Sequence, residues 1–232
     1  MCPPPTCGCC CETRKTDKIM IKVHKFVVNP FQENAYLLWD ETGSCVLVDM
    51  GSYTVDEKKE VLFFIENNQL EPVMIINTHC HVDHLLGNSF FKNKLKVPVA
   101  AHADDEFLIK TAVEHGSVFG FEVEEPPPVD SYLEEGRAIT FGSSSLEVFH
   151  VPGHSPGSVA LYSSEDAFVI TGDVLFSGGI GRTDLPGGDY DTLIRSIKEK
   201  LMVLPDEVTV YPGHGPETTI GGERHSNPFL TG

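Results

Sequence analysis

Positive charge is scarce in this chain. Its 17 Lys and Arg face 34 Asp and Glu, leaving a formal net charge of −17. Phosphate recognition needs clustered Lys and Arg, so a nucleic-acid partner is not expected. An acidic surface speaks mainly to solubility and leaves open what enters a small cleft. Long apolar runs are missing as well, and nothing approaches the length of a transmembrane helix. No membrane partner is therefore expected. After residue 11 the only cysteines are Cys45 and Cys80. That excludes a disulfide framework spread over a domain, and a chain of 232 residues needs no such staples to build a core. With no secretory-type apolar segment near Met1, a reducing, cytoplasmic location is expected.

The other cysteines crowd the start, in M-C-P-P-P-T-C-G-C-C-C. Thiolates this close together can share a soft metal. The separated ligand pairs of a closed zinc site are absent, however. Residues 1–18 are accordingly read as a Cys- and Pro-rich tail, disordered or a start-site artefact, with the folded domain over 19–232.

Alternating and apolar runs predict strands over 19–28, 35–39 and 45–49, then a helix over 55–69. A strand over 73–76 precedes a predicted helix at about 83–95. A strand over 98–101 and a helix over 103–114 complete the first half. The acidic, Pro-rich stretch 124–128 reads as a loop between halves. Strands are predicted over 138–141, 146–151, 158–162, 168–171 and 208–211. A helix over 189–204 carries Leu193, Ile197 and Leu201 on one stripe. Strands followed by a helix, twice over, suggest two sheets packed face to face with helices outside.

One stretch stands apart: N-T-H-C-H-V-D-H-L-L-G-N, Asn77 to Asn88, directly after the apolar run Val73-Met74-Ile75-Ile76. In an extended segment residues two apart point the same way, so His79 and His81 can reach one metal. Beyond His81 the chain turns, which aims Asp83 and His84 at a second, adjacent metal. Three later loops, each after an apolar strand and each containing glycine, offer His154 (V-P-G-H-S-P-G), Asp173 (I-T-G-D-V-L-F) and His214 (V-Y-P-G-H-G-P). Loops at strand ends are where a rigid sheet presents ligands. His24, His102 and His150 are read as boundary or strand residues. Asp49 is read as a cap or brace, and Cys80 as a small packed residue turned away from its histidine neighbours.

T-H-C-H-V-D-H resembles the T-H-x-H-x-D-H signature of the metallo-β-lactamase superfamily, and His154, Asp173 and His214 match its remaining motifs in order. The resemblance implies an α/β fold, a four-layer αββα sandwich with the metals at one edge between the halves. It implies two divalent cations, zinc first, with iron or manganese as alternatives. His79, His81 and His154 would hold one, Asp83, His84 and His214 the other, with Asp173 bridging. Asp83 would also orient a hydroxide on the metals for attack on a polarised carbonyl. G-G-I-G-R-T-D-L-P-G-G-D (178–189) and G-G-E-R-H-S-N-P-F-L (221–230) are similar to the glyoxalase II branch, the hydroxyacylglutathione hydrolases, in its short form without the helical C-terminal domain. The implied activity is hydrolysis of a small-molecule thioester such as a hydroxyacylglutathione. A thiolate, with a conjugate-acid pKa of about 8.5, leaves with little help from an acid. Arg182 is the candidate for a substrate carboxylate, and pairing with Asp184 is its alternative role. Rival functions on the same scaffold are a mononuclear-iron persulfide dioxygenase, a hydrolase of another ester or lactone, a nuclease, and a non-catalytic binding protein. Leu185-Pro186 departs from the dioxygenase pattern, the charge disfavours the nuclease, and the complete ligand set disfavours the last.

Overall fold

The computed structural model describes residues 20–231. The Cys-rich stretch and Ile19 lie outside the described residues.

Two six-stranded sheets form the centre. The first runs in the order β1 (Lys22–Val28), β2 (Glu33–Trp39), β3 (Ser44–Val48), β4 (Glu71–Ile76), β5 (Val99–Ala101) and β6 (Ser131–Tyr132). Its first three strands are antiparallel neighbours, and β3 to β6 are parallel. The second sheet contains β7 (Ile139–Phe141), β8 (Ser144–His150), β9 (Val159–Ser163), β10 (Phe168–Gly172), β13 (Thr209–Pro212) and β14 (Thr218–Thr219). Its order is β14-β13-β10-β9-β8-β7, with β10 and β13 parallel. A small hairpin, β11 (Leu175–Phe176) and β12 (Gly179–Ile180), lies between β10 and β13 in sequence.

The period of two along each strand assigns its side chains to layers. Tyr36 and Leu38 of β2, with Val46 and Val48 of β3, face Leu146, Val148, Leu161 and Ile170 of the second sheet across a dry interface. The intervening Ala35, Leu37, Cys45 and Leu47 point outward, where helices α1 (Val55–Asn67) and α2 (Asn88–Leu95) cover them through Val61, Ile65 and Phe91. On the far side Ala160, Tyr162, Val169 and Val210 meet helix α4 (Tyr190–Ser196) and its π-helical continuation Ile197–Leu201. The expected stripe of Leu193, Ile197 and Leu201 is fully buried there. Helix α3 (Glu106–Val118) sets Leu108 and Ala112 on Cys80, Val82 and Leu85. Four layers result, α/β/β/α. Among the described residues no helix is long and apolar enough to cross a membrane.

Helix α1 starts where its sequence says it should. Thr54 caps Glu57 N, and the Glu57 side chain returns to the Thr54 backbone. The helix expected at about 83–95 is different, because the chain makes one 3₁₀ turn at Val82–His84 and α2 begins only at Asn88. The side-chain amide of Asn77 donates to the His84 carbonyl at 3.1 Å, capturing an acceptor that a continuous helix would need. The 124–128 loop leads into β6, so the boundary between sheets falls after Tyr132. Helix α5 (Ile220–Ser226) closes the described fold.

Candidate metal centre

The strands β3, β4, β8, β10 and β13 all deliver their C-terminal ends to one edge of the sandwich. Asp49, the His79–His84 segment, His154, Asp173 and His214 follow those ends directly. All seven residues read as candidate ligands meet there.

They form two adjacent groups. In the first, His154 Nε2 lies 2.8 Å from His81 Nδ1 and 3.3 Å from His79 Nε2. In the second, His214 Nε2 lies 3.2 Å from Asp83 Oδ2, and His84 Nε2 lies 3.8 Å from that same oxygen. Asp173 spans the two, with Oδ1 3.5 Å from His84 Nε2 and Oδ2 at 3.7 and 3.6 Å from the Nε2 atoms of His154 and His214. Each group presents one donor atom per residue, close enough to share an ion.

The outer contacts fix which nitrogen faces inward. A carbonyl only accepts, so His154 Nδ1 donates to Arg182 O at 2.8 Å and His214 Nδ1 to Phe31 O at 3.1 Å. Thr78 Oγ1 donates to Asp49 Oδ2 at 2.6 Å and accepts from His79 Nδ1 at 3.2 Å. Each Nε2 is thereby left as a lone pair for a cation. Asp49 also takes the Thr78 amide at 2.7 Å, so it braces the strand end that carries His79.

Two inward atoms fit a cation better than any protein partner. His84 Nε2 and Asp173 Oδ1 are buried, and beyond ion-pair contacts of 3.5 Å or longer neither has a hydrogen-bond partner. Groups so placed are costly unless something charged joins them. Backbone closeness follows from glycine: Gly172 holds φ at +49°, and a Cβ on Gly213 would stand 2.1 Å from Asp173 Oδ1.

The electrostatics differ between the groups. Burial and the neighbouring histidines hold His79 well below its ordinary value, and burial with His154 beside it pushes His81 down to about 3. Both are neutral imidazoles, ready to ligate. Burial alone would lower His84 as well, but Asp83, Asp173 and Asp49 outweigh it and raise it well above the ordinary range. His214 is raised despite its burial, chiefly by its hydrogen bond to Asp83. Burial opposes ionisation of Asp173, yet His84 and the other histidines hold it below the usual carboxylate range.

Residues beyond the motifs complete the frame. Asp105, fully buried, accepts from Cys80 N at 3.0 Å, Ser155 Oγ at 2.7 Å and Gly157 N at 2.6 Å, tying the His79–His81 segment to the His154 loop. Glu33, also fully buried, places Oε1 3.7 Å from His84 Nδ1, and burial raises its carboxyl well above the usual range. Asn34 and Tyr36 hold the His214 loop through Pro212 O at 2.9 and 2.6 Å. These contacts join residues 25 to 178 positions apart, which no local pattern announces. Cys80 is buried, packed against α3. His102 and His150 stack at 4.2 Å with planes 8° apart. Near-parallel rings cannot both place one ion in plane, so this pair with Asp104 lacks the geometry of a metal site.

In front of the centre opens a cavity of about 510 Å³. His81, Asp83, His154, Asp173 and His214 form its floor. Phe31, Val82, Val118, Phe119, Leu185 and Pro186 form its wall, and Arg182 stands at the side. The Arg182 guanidinium is engaged with Asp184 through two 2.7 Å bonds, the alternative role considered for it, while it lines the cavity.

Comparison with known proteins agrees with this architecture. Residues 28–214 match the family model of the metallo-beta-lactamase superfamily. A probable metallo-hydrolase of Bacillus subtilis, YqgX, is 40% identical over 214 residues, covering 91% of this chain and 99% of that one. The hydroxyacylglutathione hydrolase GloC of Haemophilus influenzae is 37% identical over 210 residues, covering 88% and 95%. The crystal structure of TTHA1623 in a di-iron-bound form superposes with a TM-score of 0.80 at 43% identity, covering 89% of this chain and all of that one. Fold and site together define a metal-dependent hydrolase with a dinuclear divalent-metal site. The chain belongs to the metallo-beta-lactamase superfamily.

Proposed function

We propose that this protein hydrolyses thioesters, with His79 Nε2, His81 Nδ1 and His154 Nε2 holding one zinc ion. Asp83 Oδ2, His84 Nε2 and His214 Nε2 would hold the second, and Asp173, which faces both groups, would be shared between them. The carrying observation is the convergence of seven donors from four loops on two adjacent points, with His84 Nε2 and Asp173 Oδ1 buried between them and without hydrogen bonds. Bound there, two divalent cations would supply hydroxide at neutral pH and polarise a carbonyl. Asp83 adds a carboxylate at the cavity floor that can accept a proton from water and orient it. In the overall reaction the C–S bond breaks, a C–O bond to the water oxygen forms, and the water's proton balances the departing thiolate. Because a thiolate leaves readily, the site needs no separate general acid, which favours thioesters over amides. The hydroxyacylglutathione hydrolase activity named for the Haemophilus relative supports the same choice and makes S-D-lactoylglutathione the first substrate to assay. The free thiols of Cys45 and Cys80 suit a reducing cytoplasm.

The test is metal analysis of purified protein alongside turnover of S-D-lactoylglutathione and other thioesters. About two zinc ions per chain with thioester cleavage supports the reading. About one iron, with oxygen uptake on glutathione persulfide, overturns it in favour of the dioxygenase.

A further inference from the structure

The cavity in front of the metal centre has two unlike halves. The floor is made of imidazoles and carboxylates, and the wall of Phe31, Val118, Phe119, Leu185 and Pro186, with His115 beside them. This wall is open to solvent, with Val118 77% and Phe119 54% exposed. It is built rather than accidental. Phe31 meets Phe119 edge-on at 5.5 Å and Phe121 at 5.2 Å, and Phe121 in turn meets Tyr53 at 5.0 Å. The Phe31 carbonyl that anchors His214 fixes the Phe31 end of the wall to the centre itself. Apolar side chains gathered at the mouth of a polar site gain most from an apolar ligand group that covers them.

Charge argues in the same direction. Arg182 is the one Lys or Arg lining the cavity among the described residues, and Asp184 already occupies it bidentately. A carboxylate of glutathione must displace Asp184 to use it.

We propose that this wall selects its substrate by an uncharged, apolar arm, an alkyl or aryl acyl chain several carbons long, and that the carboxylates of a glutathione leaving group are not read. The inference rests on the thioesterase reading and narrows it. Phe31, Val118 and Phe119 are the specificity-determining residues.

The experiment compares four thioesters on the metal-loaded, full-length protein: hexanoyl and D-lactoyl esters, each of glutathione and of N-acetylcysteamine. The hexanoyl esters are expected to exceed the lactoyl esters in kcat/KM by about tenfold or more with either thiol, largely through KM. Exchanging glutathione for N-acetylcysteamine should change kcat/KM by less than about threefold. In Phe119→Ala the hexanoyl-to-lactoyl ratio should fall at least about fivefold. A lactoyl preference, or a loss above about tenfold on removing the peptide part of glutathione, overturns the proposal. If none of the four is cleaved, the thioesterase reading fails while the wall stays testable. Binding of the thioether S-hexyl-N-acetylcysteamine, followed by calorimetry, should then still weaken in Phe119→Ala, and equal affinity in the two proteins overturns the proposal.

Discussion

Asp49 Oδ2 lies 3.3 Å from His84 Nδ1 while accepting the Thr78 hydroxyl at 2.6 Å. One carboxylate thus backs a histidine in each half of the centre, His84 directly and His79 through Thr78. Outer partners of this kind fix ring orientation and tautomer. Asp49→Ala is expected to weaken metal affinity by roughly 10- to 100-fold, and Asp49→Asn by less. Competition against a chromogenic chelator measures it, and affinity unchanged in Asp49→Ala would remove Asp49 from the frame.

The two halves should take up metal with different proton stoichiometry. His79 and His81 are held low and are neutral near pH 7, whereas His84 and His214 are held high. Metal entering the Asp83, His84 and His214 group must displace protons, and its apparent affinity falls as pH drops below those raised values. The sign for the metal-free chain is the opposite. A raised histidine contributes stability fully below its ordinary value of 6.5, and this is lost as pH rises through the folded value. Calorimetric titration in buffers of different ionisation enthalpy should show proton release in one binding phase and little in the other.

Asp105 is expected to matter for stability more than its distance from the cavity floor suggests. Its carboxyl is buried against three donors from two segments. Removing it in Asp105→Ala leaves those donors unpaired and should cost about 2–4 kcal/mol, read from urea denaturation. Asp105→Asn, which keeps one acceptor oxygen, should cost less. A loss under about 0.5 kcal/mol in Asp105→Ala would show that the two loops hold without it.

The Arg182–Asp184 pair is exposed, so its loss should barely change stability. Asp184→Asn frees the guanidinium at the cavity side. The expected outcome is a lower KM for thioesters that carry a carboxylate, such as S-D-lactoylglutathione. The gain should shrink as salt rises, with little change for neutral thioesters. A KM that stays put would mean that Arg182 does not reach bound substrate.

The parts legible in the sequence were those with a local period or a dense motif. The alternation that places His79 and His81 together, and the stripe of Leu193, Ile197 and Leu201, are short-range regularities. The break between His84 and Asn88 was not legible, because Asn77 captures the His84 carbonyl from outside the segment. The short strands β6, β11, β12 and β14 and the helix α5 carry too few residues to show a period. Glu33 and Asp105 escaped for a different reason. An isolated acidic letter looks like surface until the fold closes over it. The expected extent of the domain from 19 and the Cys-rich tail fall partly or wholly outside the described residues.

Metal stoichiometry in the wild type and in Asp173→Ala tests the central claim most directly. Asp173 turns its two oxygens toward both groups at once. By mass spectrometry of the equilibrated proteins, the wild type should hold about two divalent ions per chain and Asp173→Ala about one or fewer. Two ions retained at full affinity in Asp173→Ala, or fewer than one in the wild type, would contradict a bridged pair at this edge.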